Sequence, residues 1–268
     1  MKAEDQIQQL LDFAIDIVTE AGDIALQYFR TDITVTNKSQ GIRFDPVTKA
    51  DQEIEAYLRD KIASNHPGHS IIGEEYSDRQ GKDKCTWIID PIDGTRGFVA
   101  GSPMWGILLG LMIEEKCVIG LMHQPFVKDT FVGSDAGAFL IRENNKKEIK
   151  TSDKKHISES ILCSTHPSMF HTEGERQTFQ RFVDATLFSR LGTDCYGYSL
   201  LAAGFIDIVV EGHLQSYDIM PLIPIVEAAG GIVTTWDGNT AENGGNIIAS
   251  ANDELHEQVL ELIKLQTL

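Results

Sequence analysis

Trp87-Ile88-Ile89-Asp90-Pro91-Ile92-Asp93-Gly94-Thr95-Arg96-Gly97-Phe98 sets two carboxylates and a hydroxyl at the end of an apolar run. Trp87 to Ile89 reads as a short buried strand. Pro91 has no N–H to give to a central ladder, so the chain is expected to leave the sheet where the acids begin. Asp90 and Asp93 then stand three apart across a bend, close enough to share hard divalent cations, with the Ile92 carbonyl between them as a further oxygen ligand. The N–H groups of Gly94 and Thr95 can hold an anion if a helix or tight turn starts there. An acidic surface turn has the same composition, because Asp, Pro and Gly are all turn residues.

Two further acidic segments decide between these readings. Upstream, Ile71-Ile72-Gly73-Glu74-Glu75 places carboxylates directly after an apolar pair. Downstream, Ser216-Tyr217-Asp218-Ile219-Met220-Pro221 puts an acid ahead of a helical stretch through Ile225, Val226, Ala228 and Ala229, closed by Gly230-Gly231. Taken singly, Glu74 and Glu75 read as solvated and Asp218 as a helix cap. Taken together, the three segments supply the oxygen ligands of a divalent-metal site.

In this order, and with Val47-Thr48-Lys49-Ala50-Asp51, Gly192-Thr193 and Glu227-Ala228-Ala229-Gly230-Gly231, the segments resemble the inositol monophosphatase superfamily of magnesium-dependent, lithium-sensitive phosphatases. The resemblance covers nearly the whole chain. It implies an α/β fold built as a layered αβαβα sandwich, commonly a homodimer, with the metal site between its halves. It implies Glu74, Asp90, the Ile92 carbonyl, Asp93 and Asp218 as ligands of two or three Mg2+ ions, and Asp51 as the group that orients the Thr95 hydroxyl. Glu75 would support the site. Glu74, Thr95 and Asp51 would act in catalysis, with metal-activated water attacking phosphorus in a monoester and the N–H groups of Gly94 and Thr95 gripping the phosphate.

Within that superfamily, Asp-Gly-Thr-Arg with Gly97-Phe98, Trp105-Gly106, the Ser164 to Phe170 string, Asp194-Cys195-Tyr196 and Tyr217-Asp218 look more like histidinol-phosphatases than inositol phosphatases. The chemistry agrees. Histidinol phosphate carries an ammonium and an imidazole, which suit carboxylates at Asp194 and Glu211 better than a neutral polyol does, and Arg96 joins them as a substrate contact. Alternatives are an inositol-1-phosphatase or broad sugar-phosphate phosphatase, a nucleotidase acting on adenosine bisphosphate, and a regulatory protein that contacts transcription or RNA machinery.

The 268-residue chain has a formal net charge of -17, which argues against a nucleic-acid or anionic-membrane surface. Its apolar runs are too short to span a membrane, and the N-terminus lacks the pattern of a secretory signal. Four widely spaced cysteines, Cys85, Cys117, Cys163 and Cys195, read as reduced thiols and suit the cytoplasm. The eight histidines show no zinc-helix spacing.

Ile7, Leu10, Leu11, Ala14, Val18, Ala21 and Ala25 recur at helical spacing. A second helix follows Thr48, with Ile54, Tyr57, Leu58 and Ile62 on one face. Thr48 and Asp51 have capping-box spacing, which is the structural alternative for Asp51. Met104 to Phe139 reads as buried strands and short turns. The polar stretch from Arg142 to Lys155, with Asn144-Asn145-Lys146-Lys147, is the expected boundary between an α+β half at 1–145 and an α/β half at 146–268. Beyond it, strands are expected at Ile161 to Cys163, Ile206 to Val210, Ile232 to Thr235 and Ile247 to Ala249, with helices near Phe179 to Phe188 and from Asp253.

Overall fold

Apolar stripes and runs sort this chain into five layers. The computed structural model describes residues 3–32, 34–37, 46–143 and 145–264. Helix α1 (Ala3–Tyr28) is followed by a two-stranded ribbon of β1 (Val35–Asn37) and β2 (Pro46–Thr48), and then by α2 (Lys49–Asn65). A seven-stranded sheet runs in chain order through β3 (Ser70–Gly73), β4 (Cys85–Asp93), β5 (Gly106–Ile113), β6 (Lys116–Gln124), β7 (Asp129–Ser134), β8 (Gly137–Arg142) and β9 (Asn145–Glu148). Only β3 and β4 in it are parallel. Helix α3 (Thr95–Val99) lies between β4 and β5.

The second sheet has the order β11-β10-β12-β14-β13, from β10 (Ile161–Ser164), β11 (Phe188–Leu191), β12 (Ile208–Leu214), β13 (Ile232–Thr235) and β14 (Gly245–Ser250). Its helices are α4 (Glu173–Ala185), α5 (Asp194–Ala202), α6 (Ser216–Ile219), α7 (Ile223–Ala228) and α8 (Asp253–Lys264).

Alternation along the strands explains the layering. Ile107, Leu109 and Leu111 of β5 join Leu11, Ala14 and Val18 of α1 and Ile54, Leu58 and Ile62 of α2 in one core. The opposite face, with Leu108, Met122 and Phe131, meets Tyr198 and Leu201 of α5 and Ile225 and Val226 of α7. That same core includes Cys163, Val209 and Ile247 of the second sheet. The outer face of that sheet, with Leu162, Ile208, Val210 and Ile248, packs against Phe179 and Phe182 of α4 and Val259 of α8. The result is an αβαβα sandwich. Among the described residues no helix is long and apolar enough to cross a membrane.

Three expectations change. Pro91 does not end the pairing: β4 meets β5 at Asp90↔Leu108 and again at Asp93↔Gly106, with a register shift between. A bulge tolerates the missing N–H that a regular ladder would not. The helix expected near Phe179 to Phe188 starts earlier, where Thr172 and Glu175 form a capping box, and stops at Ala185, so that Phe188 opens edge strand β11. The polar stretch carries β9, which pairs with β8, so the first sheet runs on to Glu148, past the expected boundary at 145. Exposed lysines suit such an edge strand. Asn144 lies outside the described residues.

Candidate active site

The bulge in β4 turns its last residues toward the joint between the two sheets. The Asp90 carboxylate accepts from the Ile92 N–H at 3.1 Å, which folds the acid back over the bend. Gly94 then takes φ +83, and a Cβ there would lie 2.8 Å from the Met104 carbonyl, so the turn requires glycine. Helix α3 starts at Thr95, whose hydroxyl donates to the Ile92 carbonyl at 3.0 Å.

Asp218 arrives from the other half. Gln215 and Asp218 form a capping box on α6, with the Gln215 N–H 2.7 Å from the carboxylate. The helical stretch read after Asp218 is broken in two, with Met220 to Leu222 between α6 and α7. Asp218 thus caps α6 and also belongs to an acidic cluster. The Cys195 N–H at the start of α5 donates to Asp93 at 2.6 Å. Carboxylate oxygens of Asp90, Asp93 and Asp218 lie within 4.8 Å of one another.

Glu74, just beyond β3, lies outside this 4.8 Å cluster, but its charge acts on all three acids. Burial pushes the Asp90 carboxyl well above the usual range, and the charges of Glu74, Asp93, Asp218 and Asp51 push it further. Asp93 and Asp218 are raised in the same way, by burial first, against the bonds from Cys195 and Gln215. Such a cluster lowers its energy by binding a cation. Its donors are hard carboxylate oxygens without His or Cys, the set that Mg2+ takes and zinc does not favour.

The hydrogen bond expected between Asp51 and Thr95 is not formed among the described residues. Asp51 instead accepts from the Thr48 N–H at 2.8 Å and hydroxyl at 2.6 Å, closing the capping box of α2, while Thr95 is occupied with Ile92. Asp51 still belongs to the acidic centre. Burial raises it to about 6, with Glu74 adding to the rise and the Thr48 bonds opposing it.

Beside this centre lies a second pair of carboxylates. Asp194 opens α5 at φ +44, a left-handed conformation that Asp tolerates better than most residues. Burial pushes it to about 7, with Asp93 adding repulsion and Thr165 and Arg96 opposing. Glu211 on β12 is 1% exposed and is raised by burial and then by Asp194. One of its oxygens accepts from the Thr165 N–H at 2.7 Å and hydroxyl at 2.9 Å. The other has no partner among the described residues. Arg96, Asp194 and Glu211, far apart in the sequence, thus meet beside Asp93.

Thr165 stands in the Ser164 to Phe170 string but received no role there, because nothing local distinguishes a threonine after a strand. Its partner is 46 residues away. The Cys195 N–H is a backbone group and carries no residue signal at all.

The inositol monophosphatase family profile matches residues 6–267. The chain is 33% identical over 255 residues to the chloroplastic bifunctional phosphatase IMPL2 of Arabidopsis thaliana, covering 91% of this chain and 72% of that protein. It is 30% identical over 264 residues to a histidinol-phosphatase of Chlorobaculum parvum, covering 94% and 96%. The solved structure of an inositol monophosphatase from Zymomonas mobilis superposes with a TM-score of 0.85 at 32% identity, over 98% of this chain and all of that one. A profile spanning nearly every residue, a shared five-layer fold and an acidic centre at its joint have one explanation: the chain belongs to the inositol monophosphatase family, a family of phosphatases.

Proposed function

We propose that this protein is a Mg2+-dependent phosphatase of histidinol phosphate. The observation that carries the substrate reading is the buried pair Asp194 and Glu211 beside the acidic centre, with one Glu211 oxygen unpartnered. A buried carboxylate pair calls for positive charge between or beside its members. The ammonium and imidazole of histidinol phosphate supply it, while a polyol offers only neutral hydroxyls.

In this reading Glu74, Asp90, Asp93, Asp218 and the Ile92 carbonyl would hold Mg2+, which when bound would raise the acidity of water and offset phosphoryl charge. The N–H groups of Gly94 and Thr95 hold the phosphate oxygens at the first turn of α3. Thr95 and Asp51 would help orient the attacking water or take up its proton. Glu74 would help place the same water. Asp194 and Glu211 fix the cationic end, with Arg96 beside Asp194 at the rim.

Phosphate release from histidinol phosphate, inositol 1-phosphate, fructose 1,6-bisphosphate and adenosine 3′,5′-bisphosphate, with and without Mg2+, tests this. Histidinol phosphate should give the highest kcat/KM, and chelation should abolish turnover. Faster cleavage of inositol 1-phosphate would remove the substrate assignment and leave the phosphatase.

A further inference from the structure

We propose that Glu55 and Arg59 are positioning residues for Glu74, clamping the loop after β3 so that Glu74 stays turned into the acidic centre. Both lie on α2, one turn apart, and both bond the backbone of that loop. Glu55 is wholly buried. One of its oxygens accepts from the Glu75 N–H at 2.7 Å, and the other from the Tyr76 N–H at 3.2 Å and from Arg59 Nε at 2.7 Å. The remaining Arg59 nitrogens donate to the carbonyls of Tyr76 at 2.9 Å and Ser77 at 3.1 Å. The pair therefore grips both the donors and the acceptors of one short loop, by the fork geometry that only an arginine offers. Gly73 makes room for the grip: a Cβ there would lie 2.2 Å from the Glu55 carboxylate.

Electrostatics gives the clamp its task. Glu74 repels Asp51, Asp90, Asp93 and Asp218. A loop that carries such an acid relaxes outward unless something holds its backbone. Asp51, one turn before Glu55, faces the same centre, so α2 positions its own site acid and its neighbour's loop together. Groups that orient metal ligands from behind are worth about tenfold to a hundredfold in metal affinity.

The inference rests on the reading of Glu74 as a ligand, and its test needs no substrate. Mg2+ is titrated calorimetrically into the metal-free protein, and hydrogen exchange is followed at the amides of Glu75 and Tyr76. Glu55→Gln should weaken Mg2+ binding by about tenfold or more and speed exchange at both amides. Arg59→Lys, which keeps the charge and loses the fork, should shift both readouts the same way by less. A folded Glu55→Gln protein that binds Mg2+ within about twofold of the parent, even with a lowered Tm, overturns the clamp and leaves Glu55 a packing residue. If Glu55→Gln does not fold, Arg59→Lys decides by the same two readouts. A parent protein that binds Mg2+ but cleaves no monoester would overturn the phosphatase reading alone.

Discussion

Asp93 shows how much a single residue carries here. It ends a strand, accepts from the Cys195 N–H of the other half, and shares a 4.8 Å cluster with Asp90 and Asp218. Asp93→Asn keeps an acceptor for Cys195 but removes ligand charge. It should leave the Tm nearly unchanged and cut turnover by at least about a hundredfold, which phosphate release and thermal melting measured side by side will show. Near-normal turnover in the folded variant would contradict the ligand assignment. On the proposed reading, Glu211 is the corresponding residue for substrate choice. A charge-assisted contact to a cation is worth roughly 1.5–3 kcal/mol, so Glu211→Gln should lower kcat/KM for histidinol phosphate about tenfold to a hundredfold. It should spare p-nitrophenyl phosphate, which has no cationic end. An equal loss on both esters would mean damage to the acidic centre.

At the level of elements, the seat of α7 matters because α7 follows directly from α6 and Asp218. That seat is made of glycine. A Cβ on Gly133 would lie 2.2 Å from the Pro224 carbonyl, and one on Gly120 would lie 2.0 Å from that of Pro221. Backbone cannot rotate aside, so Gly133→Ala should cost about 2–3 kcal/mol in urea unfolding and weaken Mg2+ binding along with it. A loss under about 0.5 kcal/mol would show that α7 slides freely. On the opposite face, His123 of β6 ties α1 to the sheet: its ring sits against Gly22 and bonds Thr130 at 2.8 Å. Burial lowers it to about 4 from 6.5, against the opposing effect of Asp129. The unfolded chain therefore binds a proton that the folded chain refuses. This contribution to stability is complete above pH 6.5 and is lost as pH falls toward 4. The loss amounts to about 3 kcal/mol. His123→Gln should flatten that part of the pH profile of unfolding, and an unchanged slope between parent and variant would exclude His123 as its source.

On the scale of the whole molecule, part of the net charge of -17 is concentrated at the joint between the sheets. Two sheets and their helices hold carboxylates together against mutual repulsion, so a cation that binds only the folded state stabilises all five layers. At a Mg2+ concentration about a hundredfold above Kd the gain is about 2.7 kcal/mol per site, or roughly 5 °C in Tm. Chelator should reverse it, and Asp93→Asn should shrink it. A Tm indifferent to Mg2+ in the parent protein would sink the metal reading.

How much of this was legible in the sequence depends on how local each cause is. The amphipathic stripe of α1, the Thr48–Asp51 capping box and the apolar strands from Gly106 onward follow from periodicities of a few residues, so the sequence alone determined them. The three acidic segments were visible for the same reason: Glu74 and Asp90 follow apolar runs and Asp218 precedes one. Pro91 misled because a proline forbids a regular ladder but not a bulge, and the bulge depends on β5 alongside. Tertiary structure alone decided that Asp93 meets Asp218 and the Cys195 N–H, that Asp194 and Glu211 become one buried pair, and that Glu55 reaches across 20 residues to the Glu75 N–H. Carboxylates far apart on the chain acquire shared chemistry only when packing removes the water between them, and it is the burial of two sheets on one another that removes it.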